Sequence, residues 1–595
     1  MSGKQIFSGK NMTRIILAGC IILSLAACIK TIFISLDIDE SYAVALSYRL
    51  ASGDRLFREL WESHQMSGVY LAPLIWLFLK VSGTTTGLVI YTRIAGSCIH
   101  FLIGLFLVST FQKKLPKWSI WLLFFLHMNF LPKWVQTPEF ELLQYWFILL
   151  LFLCLYRYFG GTGKKKIWLF MGGICLFAQF LLYPTLVILY PVYSIGIVVC
   201  DREKGAGRRE CINHWLWFTV GAVLPGLIFL AGIFRYLTWN ELLKNIGYIM
   251  QDESHTLVST AVKWKIYLAE LEEIILHILP YALISFFIVF GMQKWNKQHG
   301  KKEETGKDLF MFDFSVLMII LLSLAQIAGC LFGNQNQFYM LWRYIAFSFC
   351  GVFLYWFLRR MKKKSGIDEK LIFCFALLPG FITALAVLII TNMDVNTTAA
   401  KMYICVLGLF LLMNNYLKEV QQRQKKKNNI LFKTAFLLVL MSLFVGKLIE
   451  MRITGCGKIT VLAPMKMIEN GPARGIYMIS DTADILNEDY TVLKNRLTSK
   501  DRLLYVGSEN LIYLWTDAQI ATPSTQGTNA YNQEFIEYFK EYPEKYPTVI
   551  AVDKQLGVNP VYYNSSKNYI LFNWIEKDFH YKKVVETEYL KLYIR

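Results

Sequence analysis

The sequence predicts a mainly α-helical polytopic membrane protein of about 13 spanning helices, with a small extracytoplasmic α/β domain at its C-terminal end. Three observations predict it. Of the 595 residues, 55% are hydrophobic, against about 45–50% in soluble domains. The excess falls into blocks such as Ile15–Ile34, Trp215–Phe234 and Leu371–Ile390, each of the roughly 17–25 residues that cross a bilayer as a helix. Clusters of basic residues punctuate those blocks, whereas residues 451–595 are neutral, with 17 basic and 17 acidic side chains.

The spanning helices are expected near residues 12–35, 86–110, 118–131, 139–158, 167–182, 184–200, 215–237, 272–291, 309–332, 339–358, 371–391, 399–417 and 430–450. The first carries Leu17-Ala18-Gly19-Cys20 and Leu25-Ala26-Ala27-Cys28, both similar to lipoprotein cleavage sites. Its apolar run continues to Ile34, so it reads as an uncleaved anchor. Lys4, Lys10 and Arg14 keep the N-terminus cytoplasmic, and Lys164–Lys166, Arg208-Arg209, Lys362–Lys364 and Lys425–Lys427 follow on the same side. Residues 36–85, 132–138, a loop near 183, 238–271, 333–338 and 392–398 then lie outside, as does everything after 450.

The chain divides into a transmembrane domain, 1–450, and an extracytoplasmic α/β domain, 451–595. In the latter, apolar runs at Ile459–Leu462, Gly475–Ile479, Leu503–Gly507, Thr548–Val552 and Tyr589–Ile594 alternate with helical stretches near Asp484–Leu497, Glu509–Trp515, Asn532–Tyr542 and Tyr569–Lys577. Its glycines form neither GxGxxG nor a Walker loop, so nothing there supports nucleotide binding. The net charge of +19 sits in membrane-flanking loops, which argues against nucleic acid as a partner. The C-terminal domain has Cys456 alone and no Cys/His spacing suggests a metal site.

The chemistry-bearing segment is Leu36-Asp37-Ile38-Asp39-Glu40-Ser41-Tyr42. Carboxylates crowded where a helix leaves lipid are costly and often functional; the charge pattern alone fits a solvated helix end equally well. In Asp54–Glu62, Leu56, Phe57, Leu60 and Trp61 share one helical face and the charged residues the other, which predicts an amphipathic helix at the interface. In 238–271, Trp239, Tyr248, Asp252, Glu253, His255 and Trp264 suit a sugar-binding lid, with Asp252, Glu253 and His255 as its polar candidates. His100, His127 and His277 lie on apolar helices and read as packing residues.

In its order of elements the sequence resembles the GT-C superfamily of polyprenyl-phosphate-dependent glycosyltransferases, which includes protein O-mannosyltransferases and aminoarabinose transferases. The matching residues are Asp39-Glu40-Ser41-Tyr42-Ala43, Leu50-Ala51-Ser52-Gly53, Leu60-Trp61-Glu62-Ser63-His64 and Tyr91-Thr92-Arg93. Gln136-Thr137-Pro138-Glu139 resembles the family's Pro-Glu element, and Arg343-Tyr344 a recurrent pair near the end of a late helix. Relatives often continue His-Lys-Pro-Pro after the aromatic-acidic stretch, whereas here the run is His64-Gln65-Met66-Ser67-Gly68.

The resemblance implies transfer of a sugar from a polyprenyl-phosphate donor to a cell-envelope glycan, lipid or protein at the outer face of the cell membrane, with inversion. It implies Asp39 as general base with Glu40 beside it, and Arg343 and Arg93 as cations for the donor phosphate. Asp37, His64 and Glu139 are candidate substrate contacts. Asp39, Glu139 and His64 also carry the donor types of a mixed oxygen/nitrogen site, so a divalent metal ion stays open as a cofactor. A transporter or flippase of a lipid-linked glycan, or a glycan-binding receptor, is the rival reading.

Overall fold

The computed structural model describes residues 9–133, 135–161, 165–250, 259–299, 307–332, 366–391, 394–424, 438, 464–507, 509–525, 532–554 and 567–595. It is a helical membrane protein with a C-terminal α/β unit. Its helices are α1 (Gly9–Phe33), α2 (Ile38–Ala51), α3 (Gly68–Ser82), α4 (Leu88–Phe111), α5 (Lys117–Asn129), α6 (Phe140–Phe159), α7 (Ile167–Leu182), α8 (Leu189–Glu203), α9 (Arg208–Ile233), α10 (Trp239–Ile249), α11 (Thr260–Gln298) and α12 (Lys307–Phe332). They continue with α13 (Ile367–Ile390) and α14 (Tyr403–Gln424). Among the described residues, 6 helical segments are long and apolar enough to cross a membrane: Leu88–Phe111, Phe140–Phe159, Pro184–Glu203, Arg208–Ile233, Thr260–Gln298 and Ile367–Ile390. The expected spans 339–358 and 430–450 fall outside the described residues, apart from residue 438.

Small residues and buried polar pairs set the helix packing. A Cβ on Gly173 of α7 would lie 2.2 Å from the Phe218 carbonyl oxygen, and one on Gly221 of α9 would lie 2.1 Å from that of Phe170. Those two helices therefore cross backbone to backbone, as small residues permit inside a bilayer. Between α4 and α5, the rings of His100 and His127 stack at 4.0 Å. His100 Nε2 meets the His127 carbonyl at 2.8 Å, and His127 Nε2 meets the His100 carbonyl at 2.9 Å. The Trp146 indole donates to His100 Nδ1 at 2.7 Å, and Tyr145 Oη lies 2.7 Å from His127 Nδ1. Every ring nitrogen is engaged, and both histidines are packing residues as expected; His277 instead lies on an exposed stretch of α11.

Two expectations for the outer segments are corrected. Residues 54–62 form turns rather than an amphipathic helix. Phe57 sits at φ 60°, which interrupts any helix. Arg49 pulls the chain round by binding Asp54 Oδ2 at 2.7 Å and the Glu59 carbonyl at 2.8 Å. The apolar spacing reflects burial on two sides: Leu60 and Trp61 are 0% and 1% exposed. The segment 238–271 is not one open loop either. Thr238 and Glu241 form a capping box that starts α10. Helix α11 begins at Thr260 and runs 39 residues, roughly twice the length needed to span the hydrocarbon core. Lys263 Nζ holds the carbonyls of Ile389 and Thr391 at 3.2 and 2.9 Å, tying that extension to the end of α13.

The C-terminal unit is described from Pro464 onward. Strands β1 (Met465–Met467) and β2 (Tyr477–Ile479) pair antiparallel. Strands β3 (Arg502–Val506), β4 (Gln519–Ile520), β5 (Val549–Asp553), β6 (Lys583–Glu586) and β7 (Leu590–Ile594) form a sheet ordered β4-β3-β5-β7-β6. Neighbours are parallel from β4 to β5 and antiparallel from β5 to β6. Helices α15 (Ser480–Arg496), α16 (Asn532–Glu541) and α17 (Lys567–Lys577) accompany it.

This unit is fastened to the beginning of the chain. Leu36, Val44, Ala45, Leu71, Ile75, Leu88 and Val89 share one apolar cluster with Ile468, Ile476, Leu511 and Tyr513. The Ser35 amide donates to the Tyr477 carbonyl at 2.8 Å, the Trp61 amide to that of Pro523 at 3.0 Å, and the Val89 amide to that of Pro472 at 3.0 Å. Lys545 reaches Asp54 at 2.8 Å.

Candidate active site at the exit of the first helix

Three acidic residues open α2, where the partial positive charge of a helix N-terminus favours them. The fold gives each a different task. Asp37 is the N-cap, with extended backbone, and its Oδ1 accepts from the Asp39 amide at 2.9 Å. Burial, then the neighbouring Asp39 charge, raise its carboxyl pKa to about 6 despite the opposing pull of Lys133.

Glu40 is fully buried against Arg93, itself fully buried. The guanidinium makes a two-pronged contact, Nε to Oε1 at 2.7 Å and Nη2 to Oε2 at 2.5 Å. It also donates to the carbonyls of Thr31 at 2.9 Å and Ser35 at 2.6 Å. Thr137 Oγ1 donates to Glu40 Oε1 at 2.5 Å. This network ties the last turn of α1, the start of α2, α4 and the 136–139 loop together. A Cβ on Gly96 would lie 1.8 Å from the Gln136 carbonyl oxygen, so only glycine lets that loop close on α4.

Asp39 retains partial exposure. Its side chain is 16% exposed, and Oδ2 pairs with Lys133 Nζ at 2.6 Å. Burial works against the Lys133 ammonium, but Asp39, Glu141 and Asp37 outweigh it and hold its pKa above the ordinary lysine value. Glu139 caps α6, its two oxygens accepting from the Glu141 and Leu142 amides at 2.7 Å each. Glu141 forms a buried ion pair with Lys401 and accepts from the Tyr183 hydroxyl at 2.7 Å. The His64 ring stacks on Phe140 at 4.6 Å and meets Tyr183 edge-on at 5.5 Å. The acids, lysines and rings thus adjoin one another at one end of the bundle.

The sequence-derived candidates sort accordingly. Asp37, Asp39 and Glu40 stand in one turn, Arg93 is bound to Glu40, and Glu139 and His64 lie beside Glu141 and Phe140. The postulated metal set of Asp39, His64 and Glu139 is corrected: among the described residues no three His, Cys, Asp or Glu side chains group as a metal site requires. The Glu139 carboxylate is occupied by backbone amides instead. Arg343, Asp252, Glu253 and His255 lie outside the described residues. Sequence reasoning missed Lys133, Glu141, Tyr183 and Lys401. Glu141 carried a usable signal, as an acid opening a long apolar run. So did Lys133, a cation in a loop assigned to the side where lysines are scarce.

No protein-family model and no curated protein matches the chain. Among solved structures it is similar to the archaeal oligosaccharyltransferase AglB from Archaeoglobus fulgidus, in complex with an inhibitory peptide and a dolichol-phosphate. That match has 12% identity and a TM-score of 0.41, covering 94% of this chain and 71% of the other. An Archaeoglobus fulgidus oligosaccharyltransferase tethered to an acceptor peptide gives 12% identity and a TM-score of 0.43 over the same shares. ArnT from Cupriavidus metallidurans, bound to undecaprenyl phosphate, gives 10% identity and a TM-score of 0.41, covering 98% of both chains.

Proposed function

We propose that this protein is a membrane glycosyltransferase that moves a sugar from a polyprenyl-phosphate donor to a cell-envelope acceptor, with Asp39 as general base. The chain is then multi-pass, with its N-terminus cytoplasmic and its C-terminal unit outside. The observation that supports this most is the unequal use of the three acids. Asp37 caps a helix and Glu40 is locked to Arg93, whereas Asp39 keeps an accessible carboxylate beside a lysine.

In this reading the acceptor hydroxyl or amine attacks the anomeric carbon from the face opposite the phosphate, and Asp39 takes its proton as the new bond forms. A free aspartate, with pKa near about 3.9, is a weak base, so it acts at close range in the transition state. The departing phosphate gains negative charge and needs a cation. Lys133, whose ammonium lies 2.6 Å from Asp39, stands on the acceptor side in this reading and orients the base. We assign Arg93 to the frame rather than to the donor phosphate, because its donors are taken by Glu40 and the carbonyls that end α1. Arg343, the leading phosphate candidate in the sequence, keeps that role in this reading. The wall of His64, Phe140 and Tyr183 offers ring faces to a sugar.

The test is incubation of the purified protein with a panel of polyprenyl-phosphate sugars and cell-envelope extract, followed by mass spectrometry. Transfer by the native chain, and its loss in a folded Asp39→Asn variant, is the expected result. Undiminished transfer by that variant removes Asp39 as base.

A further inference from the structure

The β1-β2 ribbon of the C-terminal unit is bonded to the ends of two membrane helices. Helix α4 has 24 residues and is about 36 Å long, against about 30 Å for the hydrocarbon core. Its first residues therefore stand at the boundary of the bilayer. The Gly87 amide donates to the Gly471 carbonyl at 3.1 Å and the Val89 amide to that of Pro472 at 3.0 Å, which holds the turn between β1 and β2 at that boundary. At the exit of α1, Ile34 bridges Tyr477 of β2, and the Ser35 amide donates to the Tyr477 carbonyl at 2.8 Å.

The two faces of the ribbon differ, because side chains alternate along a strand. On one face Met478 is buried in the apolar cluster that joins the unit to α2 and α4, and Lys466 pairs with Asp484 of α15. On the other face the register sets Met465 against Ile479 and Met467 against Tyr477. Met467 and Tyr477 are 38% and 43% exposed, and Met465 and Ile479 are half-buried. Ile34, the bridge partner of Tyr477, adds its side chain to this second face. The face therefore adjoins Phe33 at the end of α1. Phe33 closes an exposed stripe with Ile22, Leu25 and Ile29, whose spacing is that of one helical face.

We propose that this apolar face of the ribbon sits in the headgroup boundary of the bilayer and anchors the C-terminal unit to phospholipid. The stripe on α1 meets acyl chains along a spanning helix, and the ribbon carries the same apolar surface on past the helix end. The residue types suit that depth. A tyrosine places its ring against acyl chains and its hydroxyl among headgroups, and flexible methionines adapt to a disordered partner. Contact with lipid at this face does not rest on the transfer reading above.

The test places a fluorescent amino acid at Met467 of the full chain in phosphatidylcholine nanodiscs. The lipid carries a nitroxide quencher on its headgroup or high on its acyl chain. At least one of the two lipids lowers the emission at least twofold; weaker quenching by both overturns the proposal. With the probe at Tyr477 instead, Met467→Glu relieves the quenching at least twofold, since a carboxylate draws the face out of lipid. Unchanged quenching in that variant means that the ribbon is merely near the bilayer, and overturns the anchor. Light scattering in detergent tests a second copy of the chain as the occupant. A monomer leaves the face to lipid, whereas a dimer that Met467→Glu converts to monomer overturns the proposal.

Discussion

Two ion pairs stand one residue apart in α2 and behave as different objects. Glu40 and Arg93 are both 0% exposed, and the arginine also holds the carbonyls that end α1. Asp39 and Lys133 are 16% and 30% exposed and contact at a single point. A buried charge that loses its partner is stranded without water, whereas a half-open pair can exchange its partner for a substrate. The first pair therefore suits a fastening and the second suits chemistry.

Breaking the fastening should have the largest effect. Arg93→Ala leaves Glu40 buried without its cation, and loss of one partner of a buried pair costs about 3–5 kcal/mol. We expect little folded protein, measured as monodisperse yield and melting temperature in detergent. Near-native stability would mean that water reaches Glu40.

Asp39→Asn should leave the melting temperature within a few degrees of native while lowering the transfer rate by about 10²–10⁴-fold, the range supplied by a positioned base. Equal losses of stability and rate would erase the distinction between the two pairs. Lys133→Met should lower the rate less, by about tenfold or more, with partial recovery in Lys133→Arg; a Lys133 change without kinetic effect would mean that Asp39 needs no cation to hold it in place.

The smallest effect concerns the cap. Asp37 has its folded pKa raised from 3.8 to about 6, so its contribution to stability is fully present below pH 3.8 and fades as pH rises through about 6. Asparagine caps a helix as well as aspartate and does not ionise. Asp37→Asn should therefore flatten the decline in melting temperature between pH 4 and 7. A parallel decline in both proteins would place that titration elsewhere.

The long helices were legible because an uninterrupted apolar run has few alternatives in lipid. Helices α2 and α3 were not. Ile38–Ala51 mixes Asp39, Glu40 and Arg49 with apolar residues, and Gly68–Ser82 has only 15 residues with Pro73 inside. The 54–62 segment misled because residues squeezed between two bodies can copy the spacing of an amphipathic helix. The acidic cluster that holds Asp39 was visible in the sequence, but its partner Lys133 is far away along the chain, and no spacing rule joins residues that meet only through tertiary packing. The sheet was legible in three of its strands; β4 and β6 were missed, the first having 2 residues and the second an exposed, charged face.

The early loop and the late domain complete each other, with consequences for biogenesis. Glu62 accepts a hydrogen bond from the amide of Thr525, 463 residues downstream. At about 5–20 residues per second, a nascent chain leaves Trp61 without its partners from the late domain for roughly 20–90 s. Throughout that interval the segment after the first helix is a client for chaperones or proteases on whichever side it emerges, and any block to late translation strands it there.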